Sequence, residues 1–133
     1  MAIWLTEENK VVVQGLTGKQ GQFYGLLNRD YGTNIIAGTN PKKAGTTVEG
    51  IPIFSTVKET VVELGADTAF IIVPAGIAKD AIVEAADAGV KFIVCVTEHI
   101  PAKDQAWVYN WLKSQHPDKR LLGPNRSEER RVG

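Results

Sequence analysis

Val11-Val12-Val13-Gln14-Gly15-Leu16-Thr17-Gly18-Lys19-Gln20-Gly21 is the stretch from which the rest of the chain is read. A β-branched run leads into glycines at 15, 18 and 21, after which Phe23, Leu26 and Leu27 recur at helical spacing. That order predicts a strand, a tight turn and a helix. In an α/β domain such a turn presents backbone amides and the positive end of a helix dipole to an anion, so a phosphorylated ligand is expected here.

The spacing narrows the ligand. The glycines form G-x-x-G-x-x-G, whereas the dinucleotide fingerprint is G-x-G-x-x-G followed by an acidic residue at the end of the second strand. Here the second apolar run, 34–38, continues as Thr39-Asn40-Pro41-Lys42-Lys43, without a carboxylate. Lysine attracts a ribose phosphate that Asp or Glu would repel. The pattern therefore points to coenzyme A or NADP rather than NAD. A P-loop is excluded, because Val13 and Gln20 stand where it needs Gly and Ser or Thr. A side chain at Gly18 is expected to occupy the pyrophosphate's space, and to oppose a left-handed backbone if the loop turns there.

The 133 residues make one domain's worth of chain, and a hydrophobic fraction of 44% is ordinary for a protein with a buried core. A formal net charge of zero argues against nucleic-acid or membrane-surface binding driven by electrostatics. The apolar runs are all too short to span a bilayer. Met1-Ala2-Ile3-Trp4-Leu5 has neither the basic nor the long apolar character of a targeting segment, so a cytoplasmic location is expected. The single cysteine, Cys95, excludes an internal disulfide and, within the apolar run 92–96, reads as a buried, inert thiol.

Five apolar runs, at 11–13, 35–37, 69–73, 92–96 and 121–122, alternate with helical patterns at 20–31, 57–64, 77–88 and 102–115. The second helix opens on a capping box, Thr56-x-x-Glu59, and the second and third end at Gly65 and Gly89. Alternation of this kind predicts an α/β, Rossmann-like, doubly wound parallel sheet of about five strands in order 3-2-1-4-5, with the switch between the first and fourth strands. Residues 45–55 break the alternation and read as a small extended excursion before the third helix–strand unit. Ligands of such sheets sit at the carboxyl ends of the strands, where segments 15–21, 39–43, 73–76 and 97–99 are expected to meet. Glu98 there reads either as an acceptor for a ribose or amide or as a helix cap. His99 and His116 lack the partners of a triad or metal site and read as surface residues. Trp107 and Trp111 read as a packing stripe rather than a base-stacking platform.

Lys10-Val11, Gln14-Gly15, Thr17-Gly18, Gln20-Gly21, Tyr31-Gly32-Thr33, Pro41 with Lys43 and Gly45, Thr56-Val57, Val73-Pro74, Thr97-Glu98 with Ile100-Pro101, and Gly123-Pro124-Asn125 run in one register along nearly the whole chain. In that register the chain resembles the N-terminal, CoA-binding domain of succinate–CoA ligase alpha subunits. The resemblance implies a domain over 1–125 that positions CoA for attack of its thiol on succinyl phosphate. The reaction it implies makes succinyl-CoA with ATP or GTP, a beta subunit supplying the nucleotide site. It places CoA contacts on Thr17, Gly18, Lys19, Gln20, Lys43, Val96, Thr97 and Glu98. It also implies that the phosphorylated histidine belongs to a second domain, since neither His99 nor His116 aligns with it, so the chain alone is expected to bind CoA without completing the reaction. Lys42, Ala44 and His99 depart from the family's usual glycines. The resemblance stops at Asn125, and the charged segment 126–133 is expected to be a non-native or disordered tail. A stand-alone, non-enzymatic CoA-binding module and an NADP-binding domain are the alternative readings.

Overall fold

The computed structural model describes residues 9–30, 32–97 and 100–122. The opening run forms β1 (Val11–Gln14), the turn follows, and α1 spans Lys19–Asp30. The next elements are β2 (Ile35–Thr39), β3 (Thr47–Val48), β4 (Ile51–Phe54) and α2 (Val57–Leu64). They are succeeded by β5 (Thr68–Ile71), α3 (Ala75–Ala88), β6 (Phe92–Cys95), α4 (Ala102–Gln115) and β7 (Arg120–Leu122).

The strands make one mostly parallel, Rossmann-like sheet in the order β3-β4-β2-β1-β5-β6-β7, with only the β3–β4 pair antiparallel. This corrects the expected five strands in order 3-2-1-4-5. The extended stretch 45–55, which is not counted among the five strands, supplies a hairpin whose second strand, β4, lies beside β2 through Gly38↔Ile53 and Thr39↔Phe54. The strand at 68–71 consequently pairs with β1 itself rather than lying beyond β2, and the switch falls between β1 and β5. Counting parallel strands along the chain, the order is 3-2-1-4-5-6. Ile51 and Ile53 alternate inward at 4% and 3% exposure, as a half-covered strand requires. Pro52 is tolerated because β4 is bordered on one side only by the two-residue β3. The hairpin closes through Glu49 and Gly50, both left-handed at φ 50° and 85°. The terminal segment 123–133, including Gly123-Pro124-Asn125, lies outside the described residues.

Both faces are covered, as continuously apolar strands demand. Val11, Val13, Leu16, Ile35, Ile51 and Ile53 pack together on the α1 face. On the other face Val12, Ala37, Ala69, Ile71 and Ile93 pack with Val57 of α2, Ala78, Ala81, Ile82 and Ala85 of α3, and Val108 and Leu112 of α4. The small residues of α3 let that helix approach the sheet closely.

The α2 capping box forms as its sequence predicts. Thr56 Oγ1 accepts from the Glu59 amide at 3.3 Å, and the Glu59 carboxylate accepts from the Ser55 hydroxyl, the Ser55 amide and the Thr56 amide. The Ser55 hydroxyl leads these bonds in holding the Glu59 carboxyl below its usual range. Because its pKa is lowered on folding, the carboxylate's contribution is present above the ordinary carboxylate range and is lost on acidification through the folded value. Thr56→Ala is expected to lower folding stability by about 1 kcal/mol, measured by urea denaturation at neutral pH.

Candidate functional site

The β1–α1 turn is built on a left-handed residue, and that residue is Gly15, at φ 103°. A Cβ there would overlap the carbonyl of Ile72 at the end of β5, lying 2.8 Å from its carbon. Gly18, by contrast, is not left-handed, and its nearest obstacle is the Gly15 oxygen at 3.4 Å. The conformational part of the expectation for Gly18 is therefore corrected: the strand exit strains Gly15, and Gly18 immediately precedes α1. Between them Leu16 is fully buried. It occupies the space that side chains at Gly25 and Gly38 would need, at 2.8 Å from each, so it anchors the turn to α1 and β2.

The turn is also tied to the end of β2. Asn40 Nδ2 donates to Thr17 Oγ1 at 2.8 Å, and Asn40 Oδ1 accepts from the Lys42 amide at 2.8 Å. The Lys43 amide donates to the Asn40 carbonyl, and the Lys43 carbonyl accepts from the Thr46 hydroxyl at 2.7 Å. One asparagine thus braces the glycine turn and shapes the lysine loop. The leading amides of α1 have no carbonyl partners within the helix, as at any helix start.

A cleft of about 490 Å³ opens at this end of the sheet. Gly15, Thr17 and Gly18 line it from the turn, Thr39, Asn40 and Pro41 from β2, and Ile72, Val73 and Pro74 from β5. Ile77, Asp80, Ala81 and Glu84 form its α3 wall, and Gln14 borders it at the end of β1. Three of the four segments expected to converge therefore do so.

The individual residues divide accordingly. Thr17 and Gly18 line the cleft; Lys19 is exposed at the start of α1, and Gln20 occupies the same first turn. Lys43 is exposed on the loop that follows Pro41. Val96 is 40% exposed just after β6 and does not line the cleft. Thr97 is buried, and its hydroxyl donates to the Val73 carbonyl at 2.9 Å and accepts from the Val73 amide at 3.2 Å. It therefore acts on the cleft through Val73, which it holds in place. Glu98 and His99 lie outside the described residues.

Sequence reasoning missed Gln14, Asp80 and Glu84 at the cleft, and it placed Asn40 there only as part of segment 39–43. Asn40 carried a signal as an Asx-turn former before proline, and Gln14 did as a polar residue closing an apolar strand. Asp80 and Glu84 had only helical spacing, which does not say what faces them. His116 lies elsewhere, its Nε2 3.0 Å from Asp87 Oδ1 and its ring against Trp111. Trp111 packs on the core, as a packing stripe requires, whereas Trp107 is exposed and stacks on Trp111 with ring centroids 5.8 Å apart. Cys95 is buried, and desolvation pushes its thiol pKa up, which leaves it a poor nucleophile. Among the described residues no cluster of His, Cys, Asp and Glu is arranged to hold a metal, and no helix is long and apolar enough to cross a membrane.

A family model described as the CoA binding domain matches residues 6–99. The chain belongs to the CoA-binding domain family. Its similarity to the alpha subunit of ADP-forming succinate–CoA ligase from Aquifex aeolicus (strain VF5) is 51% identity over 125 residues, or 94% of the chain. The match falls on the N-terminal part of such subunits, and the chain spans about two-fifths of their length, 41% of the Aquifex protein. Among solved structures, ATP citrate lyase from Methanothrix soehngenii in complex with citrate and coenzyme A shares the fold. Its TM-score is 0.68 at 21% identity, over 92% of this chain and 21% of that one. The Rex-family repressor RSP in complex with β-NADH gives 0.62 at 16% identity, over 93% of this chain and 56% of that one. CoA-binding domains and an NADH-bound repressor thus share a sheet, and the fold alone does not select the ligand.

Proposed function

We propose that this domain holds coenzyme A as the substrate of a succinate–CoA ligase and presents its thiol to succinyl phosphate, with a beta subunit supplying the nucleotide site. The observation that carries the reading is the cleft itself. It joins a glycine turn beside a helix start, both suited to phosphates, to Thr39, Asn40 and Pro41 at the end of β2, after which the chain continues into Lys42 and Lys43 rather than a ribose-binding carboxylate. In this reading Thr17, Gly18, Lys19 and Gln20 hold the pyrophosphate and Lys43 reaches the ribose phosphate. Val96, Thr97 and Glu98 bound the ligand at the β6 end. Orienting the thiol in advance lowers the entropic cost of its attack.

Calorimetric titration with CoA, using NADP and NAD as controls, tests the reading. CoA is expected to bind and the dinucleotides to bind weakly; tight NADP binding without CoA binding overturns it. Lys43→Ala is expected to weaken CoA by about 1 kcal/mol, because an exposed lysine–phosphate contact is modest, with the loss shrinking at high salt. Dephospho-CoA, which lacks the ribose phosphate, is expected to lose less in the same titration. Equal losses place Lys43 away from that phosphate.

A further inference from the structure

Asn40 is held through its backbone and its side chain alike. Its backbone N–H donates to the Phe54 carbonyl at 2.9 Å, which extends the pairing of β2 with β4, and its carbonyl accepts from the Lys43 amide at 3.1 Å. Its side-chain Oδ1 accepts from the Lys42 amide at 2.8 Å. A backbone N–H can only donate, so this bond fixes which end of the side-chain amide is the oxygen. The atom 2.8 Å from Thr17 Oγ1 is therefore Nδ2, which can only donate.

That polarity decides what Thr17 can do. A hydroxyl carries one proton, and towards Asn40 it accepts, so the proton is left for another partner. Among the described residues no acceptor takes it. Thr17 and Asn40 both line the cleft and both are half-buried, so a ligand oxygen entering there can reach the hydroxyl. Accepting one hydrogen bond also polarises a hydroxyl and strengthens the bond it donates. An acceptor at position 40 would reverse the arrangement: the proton would turn to residue 40, and the lone pairs of Thr17 would face an incoming anion.

We propose that Asn40 is a positioning residue for the phosphate site: it holds the Thr17 hydroxyl as a donor to the pyrophosphate oxygens and ties the lysine loop to the same turn. The proposal rests on the reading that the cleft takes CoA. Asn40→Asp separates polarity from bracing. Its carboxylate can still accept from the Lys42 amide and still bond to Thr17, but now as the acceptor, which draws the hydroxyl proton away from the ligand. The added charge also repels phosphate. Making the same substitution in a Thr17→Val background isolates that repulsion, because it persists there while no hydroxyl remains to turn. Calorimetric titration with CoA reads the four proteins, and urea denaturation shows which are folded. Asn40→Asp is expected to weaken CoA binding by a factor about tenfold larger with Thr17 present than in the Thr17→Val background. Equal losses in the two backgrounds, or no loss with Thr17 present, overturn the positioning role. Should Asn40→Asp fail to fold, Asn40→Ala replaces it in the same two backgrounds, with a loss about threefold larger expected where Thr17 is present and equal losses again overturning the role. A parent chain that does not bind CoA overturns the CoA reading itself, a failure visible before any substitution is made.

Discussion

Gly15→Ala is expected to lose about 3 kcal/mol or more of folding stability, the sum of a left-handed backbone forced on a residue with a Cβ and an overpacked contact. Gly15 sits at φ 103°, and the added carbon would overlap the Ile72 carbonyl just after the neighbouring strand β5. Neither element can yield cheaply. The Ile72 amide donates to the Gln14 carbonyl at 2.9 Å, so moving Ile72 away breaks the bond that closes the strand pair. Urea denaturation measures the loss, which is a large fraction of an ordinary domain's stability of about 5–15 kcal/mol. A loss below about 1 kcal/mol means that the turn adopts another conformation.

Gly18→Val is expected to show the opposite pattern. The backbone is not left-handed there, and the nearest atom to a new Cβ is the Gly15 oxygen at 3.4 Å, so the protein itself has room. The stability cost is expected to be about 1 kcal/mol, the penalty for a β-branched residue in place of glycine beside a helix start. CoA affinity is expected to fall by about 100-fold or more, equivalent to about 2.7 kcal/mol, because the side chain fills the space proposed for the pyrophosphate. Circular dichroism and CoA titration read the two effects separately. A folded variant that binds CoA within about twofold of the parent removes the turn from the phosphate site. Glycines three positions apart in one loop are thus separated by which property fails, folding at Gly15 and binding at Gly18.

Elements governed by local chemistry were the most legible. The bounds of α2 were readable because both of its ends are marked: Thr56 and Glu59 close the N-terminus, and at left-handed Gly65 the amides of Gly65 and Ala66 donate to the carbonyls of Val61 and Thr60. The bounds of α4 were readable from Pro101 and the run before Pro117. β4 was not, because Gly50 and Pro52 are local strand breakers, and what makes Ile51–Phe54 a strand is an edge of β2 left open at Gly38 and Thr39. Misplacing that strand displaced the switch point by one position, although the residues expected around it were largely those that line the cleft.

Sequence by itself determined the alternation of strand and helix, the glycine turn between β1 and α1, the lysines that follow β2 where a carboxylate could stand, and the family resemblance. These are properties of neighbouring residues, or of spacing along one chain. Only the tertiary structure decided which glycine cannot take a Cβ, because the Ile72 carbonyl that forbids one at Gly15 belongs to a segment distant in the chain. It alone brought Asn40 onto Thr17, Thr97 onto Val73, and Gln14 against α3 with an acceptor left over. Hydrogen bonds between segments far apart in the chain form where packing sets the backbones, and no periodicity along the sequence encodes which side chains will meet.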